Sequence, residues 1–177
     1  MGDDLGFLLG DAARLLRRSF DERARAMGVV CIAAAGNDYR SEVDYPGRYS
    51  QVLAVSASGR KGVYPAHAAQ VLSAAKPFGT DPKDYVADFS NVGSEISLIG
   101  PGVGIVSAYP GGYAVMDGTS MACPAIVGAA ARLLARSPRI LGMDRNQNRS
   151  DAVVKMALDA ARPLGLGAGF EGAGILV

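Results

Sequence analysis

Seven apolar residues in a row, Val29-Val30-Cys31-Ile32-Ala33-Ala34-Ala35, stop abruptly at Gly36-Asn37-Asp38. An apolar run of this length, with no polar alternation, describes a strand covered on both faces, as strands of parallel sheets are. Parallel neighbours need crossover connections, so such a strand demands helices between strands. The rest of the chain supplies them. Leu8, Leu9, Ala12, Leu15, Leu16 and Phe20 recur at helical spacing, which predicts a helix from about Leu5 to Ala26, ended by Gly28. Further strands are expected over Gln51–Ala57 and Ile96–Ile99, and a hairpin joins Ile105–Ala108 to Tyr113–Met116 through Tyr109-Pro110-Gly111-Gly112. The segment from about Ser120 to Ser137 is dense in Ala and Gly, which predicts a helix lying close to the sheet, with Pro124 in its opening turn. A last helix is expected over Asp151–Ala161, with Ser150 as its cap and Pro163 as its stop. The expected fold class is therefore α/β, a mostly parallel sheet with helices on both faces. Residues 59–85 carry the turn clusters Gly59-Arg60-Lys61-Gly62 and Phe78-Gly79-Thr80-Asp81-Pro82 and read as a surface insert, with a short helix or strand within Ala68–Ala75.

Composition excludes more than it selects. Hydrophobic residues make up 49% and charged residues 20% of the 177, as in a packed domain rather than a disordered chain. A net charge of +1 gives no case for nucleic acid or an anionic membrane as partner. The arginines at 14, 17, 18, 23 and 25 are interspersed with Asp11, Asp21 and Glu22, as on a solvated helix face. No apolar run reaches the ~18 residues of a membrane span, and no signal-peptide pattern is visible. Two cysteines make no disulfide framework; Cys31 and Cys123 both read as packing residues.

Two segments point to chemistry. Ligand groups in open α/β sheets gather at the carboxyl ends of strands, and Asn37 stands at the end of the apolar strand. Its amide is able to donate a hydrogen bond to an oxyanion, although Asn after Gly is also an ordinary turn residue. Ser120 lies in Gly118-Thr119-Ser120-Met121-Ala122-Cys123-Pro124, where a strand gives way to a helix. A helix N-terminus surrounds a serine with free N–H groups, which suits an oxygen gaining charge in acyl transfer and equally suits a plain N-cap. Ser120 does not fit the G-x-S-x-G elbow, because position 122 is alanine. Gly167-Ala168-Gly169-Phe170-Glu171-Gly172 fits G-x-G-x-x-G, yet neither follows a clear strand nor opens a helix, so no dinucleotide site is read there.

Together these segments resemble the subtilisin-like serine proteases, the subtilases. The matching pieces are Ala33-Ala34-Ala35-Gly36-Asn37, Tyr45-Pro46-Gly47-Arg48-Tyr49 with Val52–Ala57, Asp88-Phe89-Ser90-Asn91-Val92-Gly93, Gly100-Pro101-Gly102-Val103, the segment around Ser120, and Gly172–Val177, in the family's order and over residues 24–177. The resemblance implies a serine endopeptidase acting on polypeptides, with Ser120 as nucleophile and Asn37 as oxyanion donor. It implies that Ala33, Ala34, Ala35 and Gly36 line part of the primary specificity pocket, where small alanines leave room for a large apolar side chain. It implies no cofactor beyond a weak structural cation held by carbonyls around Gly47, Tyr49 and Val52.

The family's catalytic aspartate and histidine belong to Asp-Thr-Gly-like and His-Gly-Thr-His-like motifs, and neither occurs here. The single histidine, His67, lies in Val63-Tyr64-Pro65-Ala66-His67-Ala68, after the asparagine segment, and reads as a loop or packing residue. The expectation is the C-terminal portion of one subtilase domain, inactive by itself unless the first half is supplied in cis or in trans. The alternative is a non-catalytic relative that binds peptides or partners.

Overall fold

The computed structural model describes residues 3–63, 65 and 74–176, with side chains described from residue 14 onward. His67 and most of the Ala68–Ala75 stretch lie outside these residues. The chain opens with helix α1 (Asp3–Ala26) and strand β1 (Cys31–Ala34). Strand β2 (Val52–Arg60) is the spine of the sheet: its first eight residues are all buried. On one edge it runs parallel to β1, with Cys31 opposite Val52 and Ala34 opposite Val55. On the other it runs parallel to β5 (Ile96–Pro101).

The end of β2 pairs antiparallel with β4 (Asp84–Ala87), which in turn pairs with β3 (Ala74–Phe78). Ser58 pairs with Val86 of β4 and Pro101 of β5 at once, so β4 continues the edge that β1 begins. Residues 59–85, expected as a surface insert, thus return to the sheet, and Tyr85 is fully buried in the core. The sheet is mixed rather than purely parallel, with its parallel part at β1, β2 and β5. The hairpin β6 (Ile105–Tyr109) and β7 (Gly112–Met116) forms a separate antiparallel pair.

Alternation along β2 and β5 divides the core in two. Leu53, Val55, Ala57 and Leu98 face α2 (Thr119–Ala135), packing with Ala122, Ile126 and Ala130. Ile99 faces the opposite side with Val86 and Leu166, beneath the short helix α5 (Ala168–Glu171). The small residues of α2 do what their size predicts: a Cβ on Gly100 would sit 2.7 Å from the Ala122 carbonyl oxygen, so helix and sheet touch backbone to backbone there. Helices α3 (Pro138–Leu141) and α4 (Gln147–Ala160) complete the α2 side, and α4 also packs on α1.

Three local expectations are corrected. β1 is half-buried along its whole length instead of covered on both faces, because no strand among the described residues pairs with its outer edge. Helix α2 begins at Thr119, so Pro124 lies inside it, past the four N–H groups that any helix leaves unbonded, and the Ser120 carbonyl loses a helical donor. Helix α4 begins at Gln147 with Asn146 as its cap, the Asn146 side chain accepting from the Arg149 N–H; Ser150 is buried and donates to the carbonyls of Arg25 and Gln147.

Candidate active site

The two residues expected to work together, Asn37 and Ser120, follow the end of β1 and open α2. Two glycines make their approach possible. Gly36 has φ 109° and Gly118 φ 152°, both in the region that favours glycine. Gly118 hangs from the sheet through its N–H, which donates to the Gly102 carbonyl at 2.8 Å, while the Gly102 N–H donates to Ser58 at 2.8 Å. The start of α2 is thereby fixed against the ends of β2 and β5.

Thr119, fully buried, joins the two halves. Its N–H and its hydroxyl both donate to Asn37 Oδ1, at 2.9 and 3.0 Å, and its Oγ1 accepts from the Gly36 N–H at 3.2 Å. A backbone N–H only donates, so the Asn37 atom facing it is the carbonyl oxygen, and the amide Nδ2 is turned outward.

The first turn of α2 leaves a second donor free. The Thr119 N–H goes to Asn37, and those of Met121 and Ala122 go to the Gly118 carbonyl at 3.0 and 3.3 Å. The Ser120 N–H has no acceptor among the described residues. The two free donors face one place: the position of a Cβ on Gly118 is 3.6 Å from Asn37 Nδ2 and 3.6 Å from the Ser120 nitrogen. Both side chains are exposed, and the Ser120 hydroxyl has no hydrogen-bond partner among the described residues. An oxygen lodged between these donors, at the positive end of a 17-residue helix, is stabilised as it gains charge.

The substrate-lining residues behave differently from one another. Ala33 and Ala34 are half-buried, but the Ala35 side chain packs into the core with Val43, Ala54 and Ile96 and presents nothing to the site. Gly36 is half-buried and is bounded by Asp44 and Asn91, whose side-chain atoms a Cβ would strike. Asn91 holds this corner: its Oδ1 accepts from the Asp38 N–H at 2.7 Å, and its Nδ2 donates to Asp38 Oδ2 at 3.2 Å and to the Glu42 carbonyl at 3.0 Å. Thr119 and Asn91 lie inside segments matched from the sequence, but their roles, like that of Asp44, come from partners distant in the chain.

The cysteines stay packing groups. Burial pushes the Cys123 thiol up, and its S–H donates to the Ile32 carbonyl at 3.6 Å. The Cys31 thiol is likewise raised, by burial first and then by Asp21. At the carbonyls around Gly47, Tyr49 and Val52, the Tyr49 oxygen accepts from the Val52 N–H at 2.9 Å, and no group of three or more acidic, His or Cys residues stands together among the described residues.

Comparisons with known proteins place the chain in one family. Subtilisin BL of Lederbergia lenta is 35% identical over 116 residues, 65% of this chain and 35% of that protein. Alkaline elastase YaB of Bacillus sp. (strain YaB) is 35% identical over 117 residues, 66% of this chain and 25% of that protein. The self-cleaved protease domain of PatA superposes with a TM-score of 0.64 at 29% identity, over 90% of this chain and 51% of that chain. The chain thus matches only about a third of the length of the first curated relative. The Subtilase family profile matches residues 10–169, and with the mixed sheet and the paired Asn37 and Ser120 segments already in view, the chain belongs to the subtilase family.

Proposed function

We propose that this chain provides the nucleophile and the oxyanion-binding donors of a serine endopeptidase site. The observation that carries the reading is the pair of unengaged donors, Asn37 Nδ2 and the Ser120 N–H, facing one point beside an exposed serine hydroxyl. In the reaction, Ser120 Oγ bonds to a peptide carbonyl carbon while its proton passes to a base. The carbonyl electron pair moves onto the oxygen, which settles between the two donors. Collapse expels the amine with that proton and leaves an acyl ester on Ser120, which water then hydrolyses.

No side chain among the described residues is hydrogen-bonded to Ser120 to take its proton. Turnover by this chain alone is therefore expected to be low or nil. The same observation favours a second reading, a peptide-binding relative without catalysis.

A peptidyl boronic acid tests the site without requiring a side-chain base, because its boron accepts the serine oxygen, the serine proton passing to buffer, and becomes a tetrahedral anion in the oxyanion position. Boron NMR is expected to show a tetrahedral adduct with the native chain and none with Ser120→Ala. Asn37→Ala should weaken it strongly; losing one such donor costs roughly 10²–10³ in turnover, a magnitude carried over from a subtilisin. Absence of any Ser120-dependent adduct overturns the reading. Adduct formation without peptide hydrolysis is what both readings expect of this chain by itself; Ser120-dependent hydrolysis that appears when a first half bearing the base is supplied separates the protease from the peptide-binding relative.

A further inference from the structure

We propose that Arg40 is a positioning residue for the Asn37 amide: its guanidinium holds a strained turn, Tyr39–Arg40, and so fixes the backbone from which Asn37 projects. The inference deepens the proposed function and rests on it, because it takes Asn37 Nδ2 as one of the two oxyanion donors. Tyr39 has φ 52° and Arg40 φ 71°, two consecutive non-glycine residues in the left-handed region. There the Cβ crowds the carbonyl oxygen, so such residues stand in that region only when their surroundings hold them. A glycine would take the same turn at no steric cost, yet the chain has none between Gly36 and Gly47.

The turn is held along its whole length. Its backbone is zipped onto the stretch that follows β4: the Asn91 N–H donates to the Gly36 carbonyl at 3.0 Å, the Tyr39 N–H to Phe89 at 3.0 Å, the Arg40 N–H to Ser90 at 3.3 Å and the Val92 N–H to Ser41 at 3.0 Å. That stretch is fixed to the sheet, because Ser90 Oγ accepts from the Ala57 N–H in β2 at 3.0 Å. The Arg40 side chain reaches beyond it. Arg40 Nη2 donates to the Val86 carbonyl of β4 at 3.1 Å and to the Lys76 carbonyl of β3 at 3.2 Å, and the guanidinium lies 5.4 Å from the centre of the Phe170 ring in α5. One side chain thus ties the turn to three elements. Desolvation lowers the pKa of the guanidinium, with the charge of Asp88 opposing, so these contacts replace water around a charged group.

Arg40 and Thr119 divide the task. Thr119 holds Asn37 by its side-chain oxygen. The Asn37 backbone depends on its neighbours: the Gly36 carbonyl and the Asp38 N–H both bond to Asn91, and past Asp38 the chain enters the left-handed turn. A turn relaxed to ordinary φ would redirect Asp38 and swing the Asn37 amide away from the Ser120 N–H. Such a displacement matters because an oxyanion donor acts only within hydrogen-bond distance.

The test is a double-mutant cycle on the full chain, read as the affinity of one peptidyl boronic acid by boron NMR. Arg40→Met keeps an apolar stem and removes both carbonyl contacts. It is expected to weaken the Ser120-dependent adduct at least about fivefold in the native background and less than about twofold in an Asn37→Ala background, since a residue that acts through Asn37 then has nothing left to position. Tyr39 is 73% exposed, so its substitutions probe the backbone. Tyr39→Asn, which tolerates the left-handed region, should bind like the native chain; Tyr39→Val, which does not, should weaken the adduct as Arg40→Met does. Each variant is first checked by thermal melting. Equal weakening by Arg40→Met in both backgrounds marks a general structural loss and overturns the inference. Native-like binding by both Arg40→Met and Tyr39→Val also overturns it, and either result leaves the active-site reading standing. If Arg40→Met does not fold, the contrast between Tyr39→Asn and Tyr39→Val decides, and its absence overturns the inference. If the native chain forms no Ser120-dependent adduct, the active-site reading fails first and takes this one with it.

Discussion

Thr119 decides whether Asn37 is an oxyanion donor or a surface amide. An exposed asparagine rotates freely unless its other end is held, and here Oδ1 takes two hydrogen bonds from one fully buried residue. Replacing Thr119 with valine keeps the shape, removes the hydroxyl donor and leaves the Gly36 N–H without its acceptor. A part-buried group left unpaired costs ~1–3 kcal/mol, so Thr119→Val should lower stability by about that amount in chemical denaturation. It should also weaken boronate binding, because the Asn37 amide loses one of its two anchors. Thr119→Ser, which keeps the hydroxyl, is expected to restore most of both; equal boronate affinity in all three proteins would show that Asn37 needs no such anchor. The sequence makes Ser120 and Asn37 legible because each ends a local pattern, an apolar strand or the approach to a small-residue helix. Thr119 is silent there, since its partners lie 82 and 83 positions away. Asn91 and Asp44 are hidden for the same reason: their meaning is a contact with Gly36, not a spacing.

At the scale of elements, the order of strands and helices follows from hydrophobic pattern, and the departures occur where tertiary partners outweigh local signals. Ser150 has the residue type of a cap and sits before an apolar face, yet the pull of α1 places it inside α4, where its hydroxyl satisfies the Arg25 carbonyl at 2.8 Å. The capping role falls to Asn146, four residues earlier. Asn146→Ala should therefore destabilise the protein by about 0.5–2 kcal/mol, with Asn146→Asp or Asn146→Ser close to native in a urea titration. A native-like Asn146→Ala would mean that the first turn of α4 is held by packing on α1 alone. The 59–85 segment shows the same rule: its Gly and Pro clusters are genuine turns, but Tyr85, three residues past the second of them, is fully buried and ties the returning strand to β2. Turn residues reveal where the chain reverses, not how far from the core it travels while doing so.

Considered whole, the molecule leaves one side of its sheet unfinished among the described residues. The Ala35 N–H donates to Val55, so alternate residues of β1 point toward β2 and the N–H groups of Ile32 and Ala34 point away from it. On that outer edge the Ile32 carbonyl meets the Cys123 thiol, a weak donor. Beside it a cavity of about 180 Å³ is lined by Val30, Ile32, Leu53, Val127 and Leu134. Val127 is 45% exposed, and on α1 Leu16 and Phe20 are 74% and 60% exposed. An open strand edge next to apolar surface templates pairing with another chain. The chain is therefore expected to self-associate, with a sedimentation coefficient that rises with concentration. Val127→Lys together with Leu16→Lys should reduce that rise while leaving the circular dichroism spectrum unchanged, because both side chains are exposed and neither belongs to the buried core. A native chain that sediments as one monomeric species at every accessible concentration would show that the edge and its cavity are already protected. The two substitutions should then alter nothing but charge.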